Sequence, residues 1–258
     1  SLGEKVGVVE VRGAILSSES LIDDLITFRD NDSVKAIVLR IDSPGGGVAP
    51  SQEVHEEVVR TLQSKPVVVS MGSVAASGGY YIAAPCSRIV ANPGSLTGSI
   101  GVIMEFTNIE QLMQKVGLYN EVVKSGKHKD IGSPVRPMTP DDRALLQGVI
   151  DDVHRQFVDA VASGRKLPRE EVAPLADGRI FTGRQARDLG LVDELGNLED
   201  AIRLAASLGG IEGEPDVVYP AEETPRVFDY LIEQAAEAFQ RGLRDESHGL
   251  QYRWSGVH

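Results

Sequence analysis

Apolar and polar positions alternate in short blocks along the first hundred residues. Residues 6–11 (Val-Gly-Val-Val-Glu-Val) read as a strand that ends at Gly13. Residues 19–29 place Leu21, Ile22, Leu25, Ile26 and Phe28 on one side of a helix. The run 34–41 is a second strand, and it stops at Asp42-Ser-Pro-Gly-Gly-Gly47, read as a turn. A helix over 51–62 follows, then a buried strand over 67–70 that runs into a string of small residues. Residues 88–91 form another strand ahead of the small-residue loop 92–101. Strands alternating with helices predict an α/β domain with mainly parallel pairing.

Beyond residue 118 the pattern loosens. Residues 119–124 read as a strand that opens into a long loop, 125–137. A long helix then starts, with Thr139 as N-cap, Pro140 at the first helical position and Asp141 and Asp142 at the positive dipole end. Its apolar face is Leu145, Val149, Val153, Phe157 and Val161, with Leu146, Ile150 and Val158 beside them. A short strand over 179–182 and helices over 183–189 and 198–208 complete a body of residues 1–210. Residues 211–258 form a C-terminal extension. Its Pro- and Glu-rich start holds one short strand, 217–219, and Phe228, Leu231, Ile232, Ala235, Phe239 and Leu243 predict an amphipathic helix docked on the body or on a neighbouring subunit. Acid on its polar face speaks against a membrane-surface helix. Residues after Arg244 read as a disordered tail.

Composition narrows the function. The chain has 258 residues, 41% apolar and 25% charged, which fits a globular protein of one large or two small domains. A net charge of −12 argues against nucleic acid or anionic lipid as the main partner. Its one cysteine, Cys86, excludes an intrachain disulfide framework. No apolar run reaches the ~18 residues of a membrane span. The chain opens on Ser1 and is read as a processed or trimmed form, so a missing signal or anchor carries no weight.

The chemistry concentrates at Ser77, inside Met71-Gly-Ser-Val-Ala-Ala-Ser-Gly-Gly-Tyr-Tyr81. A strand that ends in so little side-chain bulk can turn sharply and hold one hydroxyl open. A nucleophilic serine needs a base. His55, His128, His154, His248 and His258 are the histidine candidates, and His128 stands out because it lies in the loop after a strand. Lys124, Lys127 and Lys129 are the lysine candidates. A lysine acts as base only when neutral, so its ordinary pKa of about 10.4 must fall by roughly 2–4 units through burial. Gly78 and the triple glycine 45–47 can supply oxyanion N–H donors. The triple glycine lacks the spacing of a phosphate loop.

Four segments appear in order: Asp42-Ser-Pro-Gly-Gly-Gly47, Met71 to Tyr81, Thr97-Gly-Ser-Ile-Gly-Val102 and Lys124-Ser-Gly-Lys-His-Lys-Asp130. Together with Asp177-Gly-Arg-Ile-Phe-Thr-Gly183 and Gly190-Leu-Val-Asp-Glu-Leu-Gly196, they resemble the short, single-repeat form of bacterial signal peptide peptidase A. That family has the Clp protease/crotonase-like spiral of ββα units. The resemblance implies a serine endopeptidase with a Ser–Lys dyad. It matches Ser77 to the nucleophile, Lys129 to the general base, Ser99 to a hydroxyl that orients the lysine, and Gly46 and Gly78 to the oxyanion donors. It implies no metal, nucleotide or other cofactor, and released signal peptides and similar apolar peptides as substrates. It also implies a ring-shaped homo-oligomer whose dyad is shared between subunits, and a catalytic domain outside the cytoplasm at the bacterial cell membrane, held by an N-terminal anchor that this sequence does not include. The rivals are a related membrane-associated protease acting on membrane-protein partners, a crotonase-like acyl-CoA enzyme, and a silent scaffold.

Overall fold

A computed structural model describes residues 3–221 and the main chain of residues 251–253. In chain order the elements are β1 (Lys5–Arg12), α1 (Glu19–Asp30), β2 (Val34–Ser43), β3 (Gly45–Gly47), α2 (Val48–Thr61), β4 (Val67–Ala76), α3 (Gly78–Ala83), β5 (Arg88–Ala91) and β6 (Leu96–Gly98). There follow α4 (Glu110–Lys115), α5 (Pro140–Arg165), α6 (Arg169–Val172), β7 (Ile180–Thr182), α7 (Gly183–Asp188), β8 (Glu194–Leu195), α8 (Leu198–Leu208), β9 (Asp216–Val218) and β10 (Gln251–Arg253).

The main sheet runs β7-β6-β4-β2-β1-β9, with β5 and then β8 branching from β4. Every pairing in it is parallel except β6 with β7. Strands buried on both faces explain the near-continuous valine and isoleucine runs. On one face Val6, Val8, Ala36, Val38, Val68 and Val90 pack under α8, against Ala201, Ile202, Ala205 and Ala206. The larger core lies on the other face and takes Leu25 of α1, Val54 and Val58 of α2, Tyr80 of α3 and Phe157 of α5.

The feature that positions the chemistry is a bulge in β4. Ile41 pairs with Met71, but Ser43 pairs with Ala75, so four steps along β4 oppose two along β2. Gly72 makes room for it: a Cβ there would sit 2.8 Å from Cγ of Asp42, whose Oδ1 accepts the Val74 N–H at 3.0 Å. Before the bulge β4 pairs with β5, and after it with β6. The bulge therefore moves the end of β4 onto a new neighbour just before Ser77.

The helix from Pro140 starts at the predicted N-cap, Thr139, and adds a capping box, with Asp142 N–H donating to Thr139 Oγ1 at 3.1 Å and Thr139 N–H to Asp142 Oδ2 at 3.1 Å. Val153, Phe157, Val158 and Val161 are buried, whereas Leu145 and Val149 stand 48% and 46% exposed. The apolar face thus outruns the core of one chain. Near the other end, a Cβ at Gly164 would lie 2.4 Å from Ala84 O and 2.6 Å from Ala84 C. Gly164→Ala is accordingly expected to destabilise the fold by about 1–3 kcal/mol through overpacking. A thermal melt checks this, with Tm falling by roughly 3–10 °C. An unchanged Tm contradicts the close approach.

Several expectations are corrected. Residues 119–124 form no strand; Tyr119, Val122 and Val123 are exposed with no strand beside them. An unpredicted helix, α4, precedes them. Gly45–Gly47 is not a simple turn but an extended strand between Ile15 and β10. Residues 251–253 lie within the tail read as disordered, yet their main chain forms β10. The amphipathic stripe from Phe228 to Leu243 and the rest of the tail lie outside the described residues. Among the described residues no helix is long and apolar enough to cross a membrane.

Candidate active site

Ser77 follows β4 directly and begins the turn into α3. Its N–H donates to Gly98 O at 2.8 Å, and its own carbonyl accepts from Tyr81 N–H at 2.8 Å. These bonds hold the backbone at φ 54°, ψ −118°, a region that non-glycine residues rarely adopt. Below it, Tyr80 Oη donates to Leu191 O at 2.8 Å and fixes α3 to the body. The Ser77 side chain is buried, and its Oγ is the one buried side-chain nitrogen or oxygen among the described residues without a hydrogen-bond partner.

Both predicted oxyanion glycines lie beside it. A Cβ on Gly78 would be 3.3 Å from Gly46 N and 2.5 Å from Ser51 Oγ, so the two backbones touch and neither tolerates a side chain. Ser51 Oγ in turn donates to Gly47 O at 2.8 Å, which holds β3 at the start of α2. The direction of the Gly46 N–H follows from strand geometry. Ile15 N–H donates to Gly45 O at 3.0 Å, and Gly47 N–H donates to Ile15 O at 2.8 Å. Alternate residues face opposite strand edges, so Gly46 N–H and C=O point away from Ile15. On that edge lies β10, antiparallel, with Tyr252 opposite Gly46.

Ser99 is one residue past the pair Ala76↔Gly98, just as Ser77 is, so parallel register sets the two serines side by side at the strand ends. Ser99 also has positive φ, 50°, and its N–H donates to Arg179 O at 2.8 Å.

Lys129 is not brought to Ser77 within this chain. It is exposed, and Ser77 Oγ has no hydrogen-bond partner among the described residues. The loop nevertheless separates the lysines that sequence left open. Lys124 Nζ bonds Asp130 Oδ1 at 2.6 Å, and Lys127 pairs with Asp141, which raises the Lys127 pKa. Among the described residues Lys129 is the lysine of this loop whose side chain forms no ion pair. The described histidines are employed elsewhere. His55 is partly buried against the Tyr81 ring, centroids 4.9 Å apart, and desolvation holds its pKa below the ordinary value. His154 Nε2 lies 2.6 Å from Ala176 O, and His128 Nδ1 lies 3.7 Å from Asp142 Oδ1. His248 and His258 lie outside the described residues.

Arg136, Asp130 and Asp142 were not singled out as a unit from sequence. The Arg136 guanidinium, and then Lys124, hold the Asp130 carboxyl well below the usual carboxylate range, and Arg136, then the Thr139 N–H, do the same for Asp142. Depressed carboxylate pKa values mean that these pairs are complete at any pH above about 4 and weaken only as pH falls further. A titration of activity between pH 6 and 9 therefore belongs to another group.

The family model of peptidase family S49 matches residues 60–212, and that of Clp protease matches residues 10–94. A Synechocystis protein with a provisional protease name is 47% identical over 220 residues, 84% of this chain and 78% of that protein. The chloroplastic serine protease SPPA of Arabidopsis thaliana is 31% identical over 268 residues, 100% of this chain and 40% of that one. A provisionally named signal peptide peptidase SppA of Enterococcus faecium is 36% identical over 185 residues, 71% of this chain and 54% of that one.

Proposed function

The chain belongs to peptidase family S49 and is a serine protease of the Clp/crotonase type, and from that premise we propose that Ser77 is its nucleophile and Lys129 its general base. Ser99 orients the lysine amine, and Gly46 and Gly78 hold the oxyanion. The observation that carries the reading is the Ser77 hydroxyl: buried, unpartnered and kept on strained backbone, which is an arrangement without a structural purpose.

The steps follow from these positions. Neutral Lys129 takes the Ser77 proton as Oγ bonds the scissile carbonyl carbon. Charge gathers on the carbonyl oxygen, where the Gly46 and Gly78 N–H groups converge. The lysine ammonium then gives its proton to the leaving amine, and water, with the same lysine as base, hydrolyses the acyl-enzyme.

Substrate binding is by strand addition on the edge of β3 that faces away from Ile15, the edge β10 takes in this structure. The pairing of β10 there supports it, since this edge accepts an antiparallel main chain. A peptide in that register turns one carbonyl to Gly46 N–H, so binding and oxyanion stabilisation share one donor. Signal peptide fragments and other apolar peptides suit such a site at the cell envelope, as the SppA relatives suggest. Membrane-protein partners with extended segments would meet the same edge.

The base comes from a neighbouring copy in a homo-oligomer. Lys129 is exposed and makes no hydrogen bond to the Ser77 of its own chain. Leu112, Val116, Leu118 and Tyr119, close before it in sequence, are 56–83% exposed and offer apolar surface to a second subunit. Covering Lys129 would also take it out of water, which favours the neutral amine.

A pH series on a chromogenic apolar peptide tests the base. The expected kcat/KM rises with pH to an alkaline plateau, and Lys127→Ala keeps the same profile. A rate flat from pH 5 to 9 removes lysine as the base.

A further inference from the structure

The loop that bears Lys129 contains a charge cluster that the reaction itself does not use. Arg136 is its centre. Nε donates to Asp130 Oδ2 at 2.9 Å, and Nη2 donates to Asp130 Oδ1 at 3.0 Å and to the Asp130 carbonyl at 3.2 Å. Nη1 donates to Asp142 Oδ2 at 2.6 Å and to Pro137 O at 2.9 Å. The Asp142 side chain is only 3% exposed and belongs to the capping box of α5. One guanidinium therefore fastens the residue next to Lys129 to the first turn of a 26-residue helix.

Two other contacts tie the loop to the same turn, the exposed Lys127–Asp141 pair and His128 Nδ1 at 3.7 Å from Asp142 Oδ1, but neither grips Asp130. Residues 118–124, which lead into the loop, have no regular structure, and among the described residues the Lys129 side chain forms no ion pair. Lysine is a point charge on a flexible four-carbon stem, so its amine is only as well placed as its backbone. A general base must come within hydrogen-bond reach of the proton it takes, and a misplacement of about 1 Å lowers rate by up to roughly 100-fold. The arginine fork is suited to this task, because its five N–H groups have fixed directions and can grip two carboxylates and two carbonyls at once.

We infer that Arg136 is the positioning residue for Lys129, clamping it through Asp130 to the α5 N-terminus so that the amine is presented at a fixed place to the serine it serves. The inference rests on Lys129 being the general base. Arg136 itself touches neither substrate nor Ser77.

Steady-state kinetics of Arg136→Gln and Asp130→Asn, run beside Lys129→Ala, test it. Both clamp variants break the same link, and Asp130→Asn leaves the Arg136–Asp142 pair in place if Arg136→Gln fails to fold. The expected result is a kcat lower by about 10- to 100-fold with KM within about twofold, because substrate binds at β3 and not on this loop. Oligomer size and Tm should match the wild type. Wild-type kcat in a folded clamp variant overturns the inference, as does a loss of kcat that only follows loss of assembly. An inactive Lys129→Ala with active clamp variants sinks this role alone, whereas an active Lys129→Ala sinks the base assignment and this role with it.

Discussion

Ser77→Ala is expected to bring peptide hydrolysis to background, a fall of about 10⁴-fold or more in kcat, while the chain folds and assembles as before. The size follows from covalent catalysis: without Oγ no acyl-enzyme forms, and only the oxyanion donors and the binding edge remain. The lack of a structural penalty follows from the site. Ser77 Oγ makes no hydrogen bond, so alanine removes none, and its Cβ takes up the same backbone strain. The variant should therefore melt within a degree or two of wild type and still bind apolar peptides, measured by calorimetry or fluorescence anisotropy. Hydrolysis near the wild-type rate in a purified, folded Ser77→Ala protein would end the assignment.

Lys129→Ala should be equally inactive, and mixing the two inactive proteins should bring activity back. A shared site needs Ser77 from a Lys129→Ala chain and Lys129 from a Ser77→Ala chain. With equal amounts and random exchange, about a quarter of the sites in a closed ring meet both conditions, so the mixture should regain about a quarter of wild-type activity. A dyad within one chain gives none, because every chain then lacks one partner. Mixed oligomers confirmed by native mass spectrometry but showing no hydrolysis would reject sharing. The reason to expect sharing is local: an exposed, unpaired Lys129 and a Ser77 with no partner in the same chain. Lys127→Ala should lose little, since Lys127 is already bound to Asp141.

What could be read from sequence depended on where each element finds its partners. The strands near 6–11 and 34–41 and the helices from Pro140 and over 198–208 carry their own periodicity or caps, and they form as read. The sharp turn at Ser77 was legible because a β-strand running into Ala-Ala-Ser-Gly-Gly has too little side-chain bulk at its end to resist one. Elements made by distant contacts were not legible. Gly45–Gly47 is extended because Ile15 and β10 flank it, and nothing in three glycines announces that. β6 lay hidden in a small-residue loop because its neighbours are distant in sequence: the end of β4 past the bulge on one side and β7 on the other. Residues 119–124 have strand-type side chains but no strand to join. The Arg136 clamp joins a loop residue and a helix residue six positions either side of it, a spacing without a period to detect.

The backbone at Ser77 and Ser99 has a consequence for how this site can change over time. Both residues hold positive φ, where glycine would fit without strain. Each serine costs the fold on the order of 1–3 kcal/mol. Drift under selection for stability alone would push both positions toward glycine, and two neighbouring serines held against that tendency mark where selection acts on chemistry. Copies of this fold that have lost the need for hydrolysis should reveal themselves by glycine at these two positions before their cores begin to diverge.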